Sequence, residues 1–325
     1  MKVVVTGITG FIGRNFAKTM DDGNDYIVLV REESKVDFLK GLKNVRIMRI
    51  NFTYDELLTI LKGKDVVIHM IGQMGGYGIP REKFEKVNCD LTRDIVNVCI
   101  EAGIKQFIYL STPGVQGFGK RLCVETDSYA PRNSYEKTKV EAEKIIITLF
   151  EKSEVRYTII RPDFVYGPGD YRRIKMYKNI RDKKFVLTTS GDSYLHPTYV
   201  DDVVQGIRCA LGNEKSYDEI FNISAMNDIT VKEYLQVMAD YFGVKLIHIN
   251  IGYRMSCFLA GIIEKICNVV LKKDGFVSKN KIDFLAVDHS TSSKKAQSLI
   301  GYDPQYDFET GFANTMKWCE DNNLL

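Results

Sequence analysis

The sequence predicts an α/β fold in which a doubly wound parallel sheet is followed by a smaller C-terminal α/β domain. An apolar run at residues 3–5 ends directly in a glycine-rich turn. Later apolar runs alternate with stretches of helical periodicity, as in βαβ units. They lie at 26–30, 45–50, 65–71, 106–110 and 155–160. The length of 325 residues is enough for about two domains.

Composition narrows the class of protein. Hydrophobic residues make up 45% and charged residues 27%, which is ordinary for a globular protein. The net charge of +3 is too small to indicate nucleic acid or an anionic membrane as a partner. The seven cysteines are scattered without a C-x-x-C pair, and the four histidines are isolated. We therefore expect neither a metal site nor a disulfide framework.

Neither the start of the chain nor its apolar stretches indicate export or membrane insertion. Residues 1–5 already have the character of a strand. The most apolar later stretch, Met255 to Ile263, is nine residues long and too short to span a bilayer. We expect a cytoplasmic protein without a transmembrane segment.

The glycine-rich turn, Thr6 to Gly13, is the first candidate binding site. Its spacing is G-x-x-G-x-x-G between a strand and a helix, so backbone amides can approach a pyrophosphate. This spacing resembles the extended branch of the short-chain dehydrogenase/reductase family, whose NAD(P)-binding domain has the Rossmann fold. The resemblance implies cofactor contacts from Gly7, Thr9, Gly10, Phe11, Ile12 and Gly13.

The end of the second strand bears on the choice of cofactor. An acidic residue there would bind the adenosine ribose of NAD, but this chain has Arg31. Its guanidinium could hold the 2′-phosphate of NADP, helped by Arg14 or Lys35. Glu32 could still serve NAD. On this argument NADP is slightly favoured over NAD.

The resemblance continues at the next two strand ends. Asn51 stands where the family commonly has an Asp against the adenine, and Phe52 is its apolar neighbour. The segment 65–72 is similar to the family's fourth strand and cofactor-lining turn, and Asn88 matches a structural Asn. The loop 75–78 is expected to be flexible and to border the substrate. Further implied contacts come from Met70, Ile71 and Gly72 to the cofactor and from Gln73 to the substrate.

Tyr135 and Lys139 are the candidate catalytic pair. Four residues apart on a helix, their side chains share one face and can reach a common ligand. A tyrosine with its usual pKa of about 10 is a poor base near neutrality. A nearby lysine ammonium, or a cationic nicotinamide ring, would lower that pKa. The family's catalytic Tyr and Lys have this spacing, and both also contact the cofactor.

The fifth strand runs into Ser111–Gly117, which is similar to the family's S-[ST]-x-x-V-Y-G segment. Thr112 then takes the catalytic Ser/Thr position and binds the substrate oxygen, with Ser111 at the cofactor. Dehydratases of this branch carry an Asp-Glu pair directly after that Thr. Pro113 and Gly114 stand there instead, so dehydration is not expected, and Pro113 is implied to contact substrate.

Arg161 to Gly169 closely resembles the family's R-P-x-x-V-Y-G-P-G segment, whose backbone holds the nicotinamide carboxamide. Residues 171–184 are strongly basic, which indicates either a solvated helix face or a site for substrate phosphates. His196 belongs to a segment similar to the family's H-V-x-D-V. The resemblance implies cofactor contacts from Pro162, Phe164 and Val165, and substrate contacts from Tyr166, Arg172, Arg173 and His196.

We expect two domains. Residues 1–165, with 198–225 returning to them, form the NAD(P)-binding domain, and 166–197 with 226–325 form the substrate-binding domain. Within the second domain, 251–271 has apolar residues at helical spacing. A core-packing helix is the first interpretation, and a dimer face, a contact with a membrane surface or a lid over an apolar substrate are the alternatives. The block 275–296 is similar to 3β-hydroxysteroid dehydrogenase-like members of the branch.

The sequence therefore predicts an NAD(P)-dependent enzyme that exchanges hydride with a hydroxyl or keto carbon. Its catalytic residues are Thr112, Tyr135 and Lys139. A nucleotide-sugar 4-epimerase or 4-ketoreductase, acting as a homodimer, is the first hypothesis. A dehydrogenase or reductase of a sterol-like or other apolar alcohol is the alternative. A dinucleotide-sensing protein without turnover is the third.

Overall fold

The larger of two main sheets is built from the apolar runs of the first half of the chain. The computed structural model describes residues 1–75, 78–266 and 279–325. Strands of the larger sheet are β1 Lys2–Thr6, β2 Asp25–Val30, β3 Val45–Arg49, β4 Val66–His69, β5 Gln106–Leu110, β7 Arg156–Pro162 and β10 Glu219–Ile223. Within the described ranges these seven strands are all parallel, in the order β10-β7-β5-β4-β1-β2-β3. The predicted doubly wound parallel sheet is confirmed.

Helices cover both faces of this sheet. One face is covered by α1 Phe11–Ala17, α7 Val200–Ala210 and α11 Lys294–Ile300. The other is covered by α2 Tyr54–Leu61, α4 Leu91–Ala102 and α5 Ser134–Phe150. A short helix, α3 Arg81–Glu85, runs through a π-helical turn at 86–90 into α4. Because the central strands are buried on both faces, they are continuous apolar runs rather than alternating ones.

The strand order creates a crevice beside β1. This strand lies between β2 and β4, so the chain leaves it in opposite directions on its two sides. At such a reversal, the carboxyl ends of parallel strands bound a crevice where α/β proteins bind ligands. Thr6 and His69, the last residues of β1 and β4, are register partners at this edge. The turns that follow them therefore meet at the crevice.

The second unit is a smaller sheet with its own helices. Its strands are β6 Lys120–Cys123, β9 Tyr194–Leu195, β11 Ile229–Thr230 and β13 His289–Thr291, in the order β11-β9-β13-β6. A separate pair joins β8 Val186–Leu187 to β12 Ile247–His248. An aromatic core lies among α6 Ile174–Arg181, α8 Val231–Tyr241 and α12 Phe308–Asp321.

The two units exchange segments. The strand β6 lies inside the span 1–165 but pairs with β13 of the smaller sheet. Conversely, α11 lies inside 226–325 but packs its Ala296 and Ile300 into the core of the larger sheet. As expected for the returning segment, β10 pairs with β7. We therefore propose the two predicted domains with one change: β6 joins the smaller sheet and α11 packs against the larger one.

The predicted apolar helix is not a core helix over its described part. It is present as α9 Tyr253–Ile266, followed by α10 Lys279–Ala286. Positions 269 and 270 of the predicted stripe lie outside the described residues. Across the described ranges, no helix has both the length and the hydropathy that a bilayer span requires. The apolar side chains of α9 that face solvent are Met255, Phe258, Leu259, Ile262 and Ile263.

Candidate active site

The glycine-rich turn packs closely against the turn that follows β4. Gly7 has a φ of +79°, and a Cβ there would lie 2.5 Å from the carbonyl carbon of Met70. A Cβ on Gly13 would lie 2.6 Å from the Cα of Ile8. Any larger residue would force the two turns apart. The turn thus has the tight backbone approach that a dinucleotide pyrophosphate needs, which fits the predicted cofactor.

A cavity of about 540 Å³ extends from this turn to α5 and the second unit. Its volume is in the range of small-molecule binding sites. Most of the predicted site residues share its wall. These are Gly7, Gly10, Phe11, Ile12, Gly13, Met70, Ile71, Gly72, Ser111, Thr112, Pro113, Tyr135, Lys139, Pro162, Phe164, Val165, Arg172 and Arg173.

The three predicted catalytic side chains meet at this wall. The N-terminal end of α5 is fixed by Asn133, whose side chain accepts a hydrogen bond from the backbone N–H of Glu136 at 2.9 Å. Tyr135 is therefore held in the first helical turn, one turn before Lys139. Thr112 follows β5 and shares a side-chain hydrogen bond with Tyr135. The geometry needed to move a proton to or from a bound oxygen is present.

The protonation of Tyr135 differs from the prediction. Desolvation raises its pKa to about 12, while the Arg172 guanidinium and the Thr112 hydrogen bond act in the opposite direction and Glu136 adds to the rise. Lys139 is not among the groups that lower it, and its Nζ donates to the Tyr109 hydroxyl and the Leu110 carbonyl, both at 2.6 Å. A cationic nicotinamide ring remains the group predicted to lower the pKa of Tyr135.

The Lys139 amine is itself perturbed. It is buried, and desolvation lowers its pKa to about 7, although the carboxylate of Glu143 favours the charged form. Near neutral pH the amine is therefore poised between its two protonation states.

A buried ion pair holds the end of β5. Arg161 donates to Glu143 at 2.6 Å, and the two side chains are 1% and 0% exposed. The Tyr129 hydroxyl donates to the same carboxylate at 2.8 Å. The Ser111 hydroxyl also donates to Glu143, so it is committed to this network although Ser111 lines the cavity. The network fixes the segment from which Thr112 projects.

Asn88 supports the cofactor-lining turn. Its Oδ1 accepts from the backbone N–H of Gln73 at 2.7 Å, and its Nδ2 donates to the Gln73 carbonyl at 3.1 Å. The same Nδ2 donates to Thr138 on α5 at 3.0 Å. Asn88 thus links the turn to the residue before Lys139.

In the loop predicted to border the substrate, residues 76 and 77 lie outside the described residues.

Two arginines reach the cavity from the basic segment. Arg172 and Arg173 both donate to the buried carboxylate of Asp170, at 2.8 and 2.9 Å. The Arg173 guanidinium also lies 3.9 Å from the centre of the Phe164 ring, which fixes it in place. The Arg172 side chain is 52% exposed, so its charge is available to a ligand in the cavity.

Four predicted cofactor residues lie outside the cavity wall: Thr9, Arg31, Asn51 and Phe52. Arg31 is exposed and forms an ion pair with Glu33 at 3.2 Å. Asn51 is exposed, and its backbone N–H donates to Glu56 at 3.1 Å. Since Arg31 and Asn51 follow β2 and β3, they lie beyond β1 as seen from β4, at the far end of the crevice.

Three predicted substrate residues also lie away from the wall: Gln73, Tyr166 and His196. The Gln73 side chain is half-buried and donates to the Met74 carbonyl. Tyr166 is buried among the aromatic rings of the second unit. The His196 ring is buried at the smaller sheet, where Nδ1 bonds to the Thr291 carbonyl at 2.8 Å. Local motifs could not show that β13 would cover His196.

An aromatic wall of the cavity consists of Phe118, Phe164, Phe284 and His289. Phe164 was predicted as a cofactor contact, but the other three residues were missed by sequence reasoning. The His289 ring lies 4.3 Å from the Phe284 ring and 5.0 Å from the Phe118 ring, between centroids. These residues come from distant segments, and only the similarity of 275–296 to hydroxysteroid dehydrogenase-like proteins pointed toward two of them.

Three carboxyl groups on the wall were also missed: Glu136, Asp163 and Asp170, the last of which accepts from the two arginines. Glu136 accepts from the Arg132 backbone N–H at 2.6 Å, so its carboxylate ties the first turn of α5 to the segment that precedes the helix. Asp163 accepts from the backbone N–H and the hydroxyl of Thr291, both at 2.8 Å. Burial raises the pKa of Asp163 to about 7, against these hydrogen bonds. Within the described part of the chain, no cluster of His, Cys, Asp or Glu could hold a metal ion.

Residues 3–224 match the profile of the NAD dependent epimerase/dehydratase family. The chain belongs to this family. It is therefore an NAD-dependent enzyme of the class that includes epimerases, dehydratases and dehydrogenases. The cofactor named for the family and for its bound structural neighbours is NAD, and nothing in them supports the preference for NADP argued from Arg31.

The family member has curated relatives with different substrates. It is 24% identical to "3beta-hydroxysteroid-dehydrogenase/decarboxylase isoform 1" of Arabidopsis thaliana, over 96% of this chain and 78% of the relative. It is 28% identical to "UDP-glucose 4-epimerase" of Vibrio cholerae, over 73% of this chain and 74% of the relative. It is 22% identical to "N-acetyl-alpha-D-glucosaminyl-diphospho-ditrans,octacis-undecaprenol 4-epimerase" of Escherichia coli O157:H7, over 97% and 94%.

Solved structures of family enzymes share the whole fold. The UDP-glucuronic acid 4-epimerase of Bacillus cereus, in complex with UDP-glucuronic acid and NAD, superposes with a TM-score of 0.78 at 18% identity, over 99% of this chain and 100% of that one. A dTDP-glucose 4,6-dehydratase of Streptomyces venezuelae with bound NAD gives 0.79 at 20% identity, over 99% and 98%. At these identities the likeness shows the fold alone.

Proposed function

We propose that this enzyme exchanges hydride between NAD and a hydroxyl or keto carbon of a nucleotide sugar, as a 4-epimerase or 4-ketoreductase. The observation that carries the proposal is one cavity whose wall contains the glycine turn together with Thr112, Tyr135 and Lys139. The cofactor end and the proton-transfer end of the site therefore open into the same space.

The residues of the cavity fit the cofactor. The close-packed turn of Gly7 to Gly13 would hold the pyrophosphate, and the buried Lys139 amine would meet the nicotinamide ribose. NAD supplies a hydride acceptor for an alcohol and, once reduced, a hydride donor for a ketone. Pro162, Phe164 and Val165 line the cavity beside this end of the site.

Tyr135 handles the proton. With a pKa of about 12, its hydroxyl keeps its proton at neutral pH and can donate to the oxygen of a ketone. In the opposite direction it must become a tyrosinate. The positive charge of Arg172 and the hydrogen bond from Thr112 favour that form, since both lower the pKa. Thr112 also orients the substrate oxygen toward Tyr135.

Arg172 is the proposed site for the substrate diphosphate. Its guanidinium is half-exposed at the cavity and is aligned by the buried Asp170. Arginine binds phosphate oxygens through paired N–H donors. Dehydration is not part of the proposal, because Pro113 and Gly114 supply no acid or base. The nearby carboxylate of Glu136 already accepts from Arg132 and Asn133.

A second candidate function is favoured by the aromatic wall. Phe118, Phe164 and Phe284 give the cavity apolar surface that a sugar alone does not require. The relatives from Arabidopsis thaliana and Escherichia coli carry hydroxysteroid and undecaprenol in their names. An apolar or lipid-linked alcohol is therefore the alternative substrate.

The first experiment identifies any nucleotide that copurifies with the protein, by denaturing it and analysing the released compound by mass spectrometry. Tightly held NAD supports an epimerase, which must retain its hydride between two half-reactions. An empty site that binds NADH in solution supports a ketoreductase. Selective binding of NADPH would overturn the choice of NAD.

The second experiment tests the chemistry with Tyr135→Phe. We expect this variant to bind NAD normally and to lose turnover by about 100-fold or more on nucleotide sugars that the wild type converts. Tyr54→Phe is the matched control and should keep its turnover, because the Tyr54 hydroxyl donates to Glu101 at an exposed site outside the cavity wall. Near-normal turnover in Tyr135→Phe would contradict the proposed role of Tyr135 in proton transfer. Turnover of sterol or polyprenyl-diphosphate sugars, but not of nucleotide sugars, would select the second candidate.

A further inference from the structure

Helix α9 presents an apolar stripe to solvent. Phe258 is 64% exposed and Met255 is 51% exposed. Leu259, Ile262 and Ile263 continue the stripe along the helix. In the segment before the helix, Ile249 and Ile251 are exposed as well. Contiguous apolar surface of this kind usually marks a site of interaction.

The orientation of α9 is fixed by polar contacts on its other side. The Ser256 hydroxyl donates to the Thr188 carbonyl at 3.0 Å. The Tyr253 hydroxyl donates to Asp283 of α10 at 2.8 Å. Ser256 and Ala260 are buried, so the helix already has an inward face. The apolar stripe is therefore held facing solvent by contacts on the opposite side of the helix.

The charge around the stripe indicates its partner. In the sequence, residues 251–281 contain six Lys or Arg and two Asp or Glu, so the segment that includes α9 has an excess of positive charge. Arg254 is exposed on α9 itself. Basic residues beside an apolar helix face are attracted to anionic lipid headgroups.

We propose that α9 binds the surface of an anionic membrane, with its apolar stripe at the boundary of headgroups and acyl chains. Such a helix lies in the plane of the interface and does not cross the bilayer. Phe258 and Met255 would enter the apolar layer, while Arg254 meets the headgroups. The proposal depends on this surface and not on which alcohol the enzyme converts.

The proposed membrane face is connected to the cavity. Asp283, which anchors Tyr253, also pairs with Arg132 at 2.6 Å. The Arg132 guanidinium lies 4.8 Å from the centre of the Phe118 ring. Phe118 and Phe284, the neighbour of Asp283, are both on the aromatic wall. If the second candidate function holds, this connection brings a substrate embedded in the bilayer close to the site.

The test is flotation of the purified 325-residue chain with lipid vesicles. One set contains phosphatidylglycerol and phosphatidylcholine in equal amounts, and the other contains phosphatidylcholine alone. We expect binding to the anionic vesicles, weakened by added salt because the attraction is partly electrostatic. Phe258→Asp and Met255→Asp should each reduce the bound fraction about tenfold or more, since a charge enters the apolar stripe.

Met226→Asp is the matched control, because Met226 is 53% exposed in the loop between β10 and β11 and is not part of the α9 stripe. It should float like the wild type. Thermal unfolding and NAD binding should be unchanged in all three variants, which separates a lost surface from a lost fold. Failure of the wild type to bind anionic vesicles overturns the proposal. So does a dimer, measured by light scattering, that Phe258→Asp dissociates.

Discussion

The Lys139 amine lies 2.6 Å from the hydroxyl oxygen of Tyr109 and 4.0 Å from the centre of its ring. Both residues are buried. The amine is thus surrounded by neutral acceptors and an aromatic ring. The charge of the Glu143 carboxylate acts to raise the pKa of the amine. Neutral partners compensate only part of the desolvation of an ammonium, which is why its pKa lies near 7.

The first prediction concerns the pH dependence of stability. The pKa of Lys139 falls from 10.5 to about 7 on folding, so the unfolded chain holds more protons between these values. Stability therefore rises with pH across this window, by at most about 1.4 kcal/mol per pH unit. Lys139→Met should raise the free energy of unfolding at pH 6, and the gain should shrink toward pH 10. Urea unfolding at several pH values measures it. Lys137→Met, an exposed lysine of the same helix, should show no such trend.

The second prediction concerns Thr112. Its hydrogen bond lowers the pKa of Tyr135, so Thr112→Val should raise that pKa further. The acidic limb of the pH profile for alcohol oxidation should then move to higher pH, and kcat should fall about 10- to 100-fold. Thr112→Ser keeps the hydroxyl and should restore both. An unchanged pH profile in Thr112→Val would show that the hydrogen bond has no part in the proton transfer.

The third prediction concerns Arg172. Arg172→Ala should raise KM for a nucleotide sugar about tenfold or more, because a phosphate contact is lost. It should also move the acidic limb of the oxidation profile to higher pH, because the guanidinium lowers the pKa of Tyr135. Arg181→Ala removes a cation of the same segment that is paired with Asp182, and it should change neither. Equal effects of the two substitutions would contradict the assignment.

The fourth prediction concerns the buried ion pair under the site. Glu143→Ala leaves Arg161, which is 1% exposed, without its carboxylate. We expect the free energy of unfolding to drop by about 3–5 kcal/mol. Glu154→Ala, at an exposed position, should cost less than about 0.5 kcal/mol. Chemical denaturation measures both, and a small loss for Glu143→Ala would mean that solvent reaches Arg161.

The sequence predicted those parts of the site that depend on short segments. Gly7 to Gly13 follows a strand directly, and Tyr135 and Lys139 are one helical turn apart, so local geometry determines both arrangements. The parallel sheet could be predicted for the same reason, since each βαβ unit is a contiguous pattern. Thr112 could be placed because β5 ends just before it.

The remaining parts depend on contacts between distant segments. His196 was expected at the substrate, but β13, almost a hundred residues later, covers it and occupies its Nδ1 through the Thr291 carbonyl. Phe118 and His289 meet only because β6 pairs with β13. The direction of the pKa shift of Tyr135 depends on its desolvation in the folded chain, which spacing alone does not determine.

The exchange of β6 and α11 between the two units has a consequence for engineering and for evolution. A fragment that stops before 289 leaves β6 without its partner and removes Ala296 and Ile300 from the core of the larger sheet. The NAD(P)-binding domain therefore cannot be transferred as one contiguous segment onto the substrate-binding domain of another protein. A new substrate specificity must therefore arise by substitutions within this chain. Phe118, Phe284 and His289 of the aromatic wall are the positions at which we expect such substitutions.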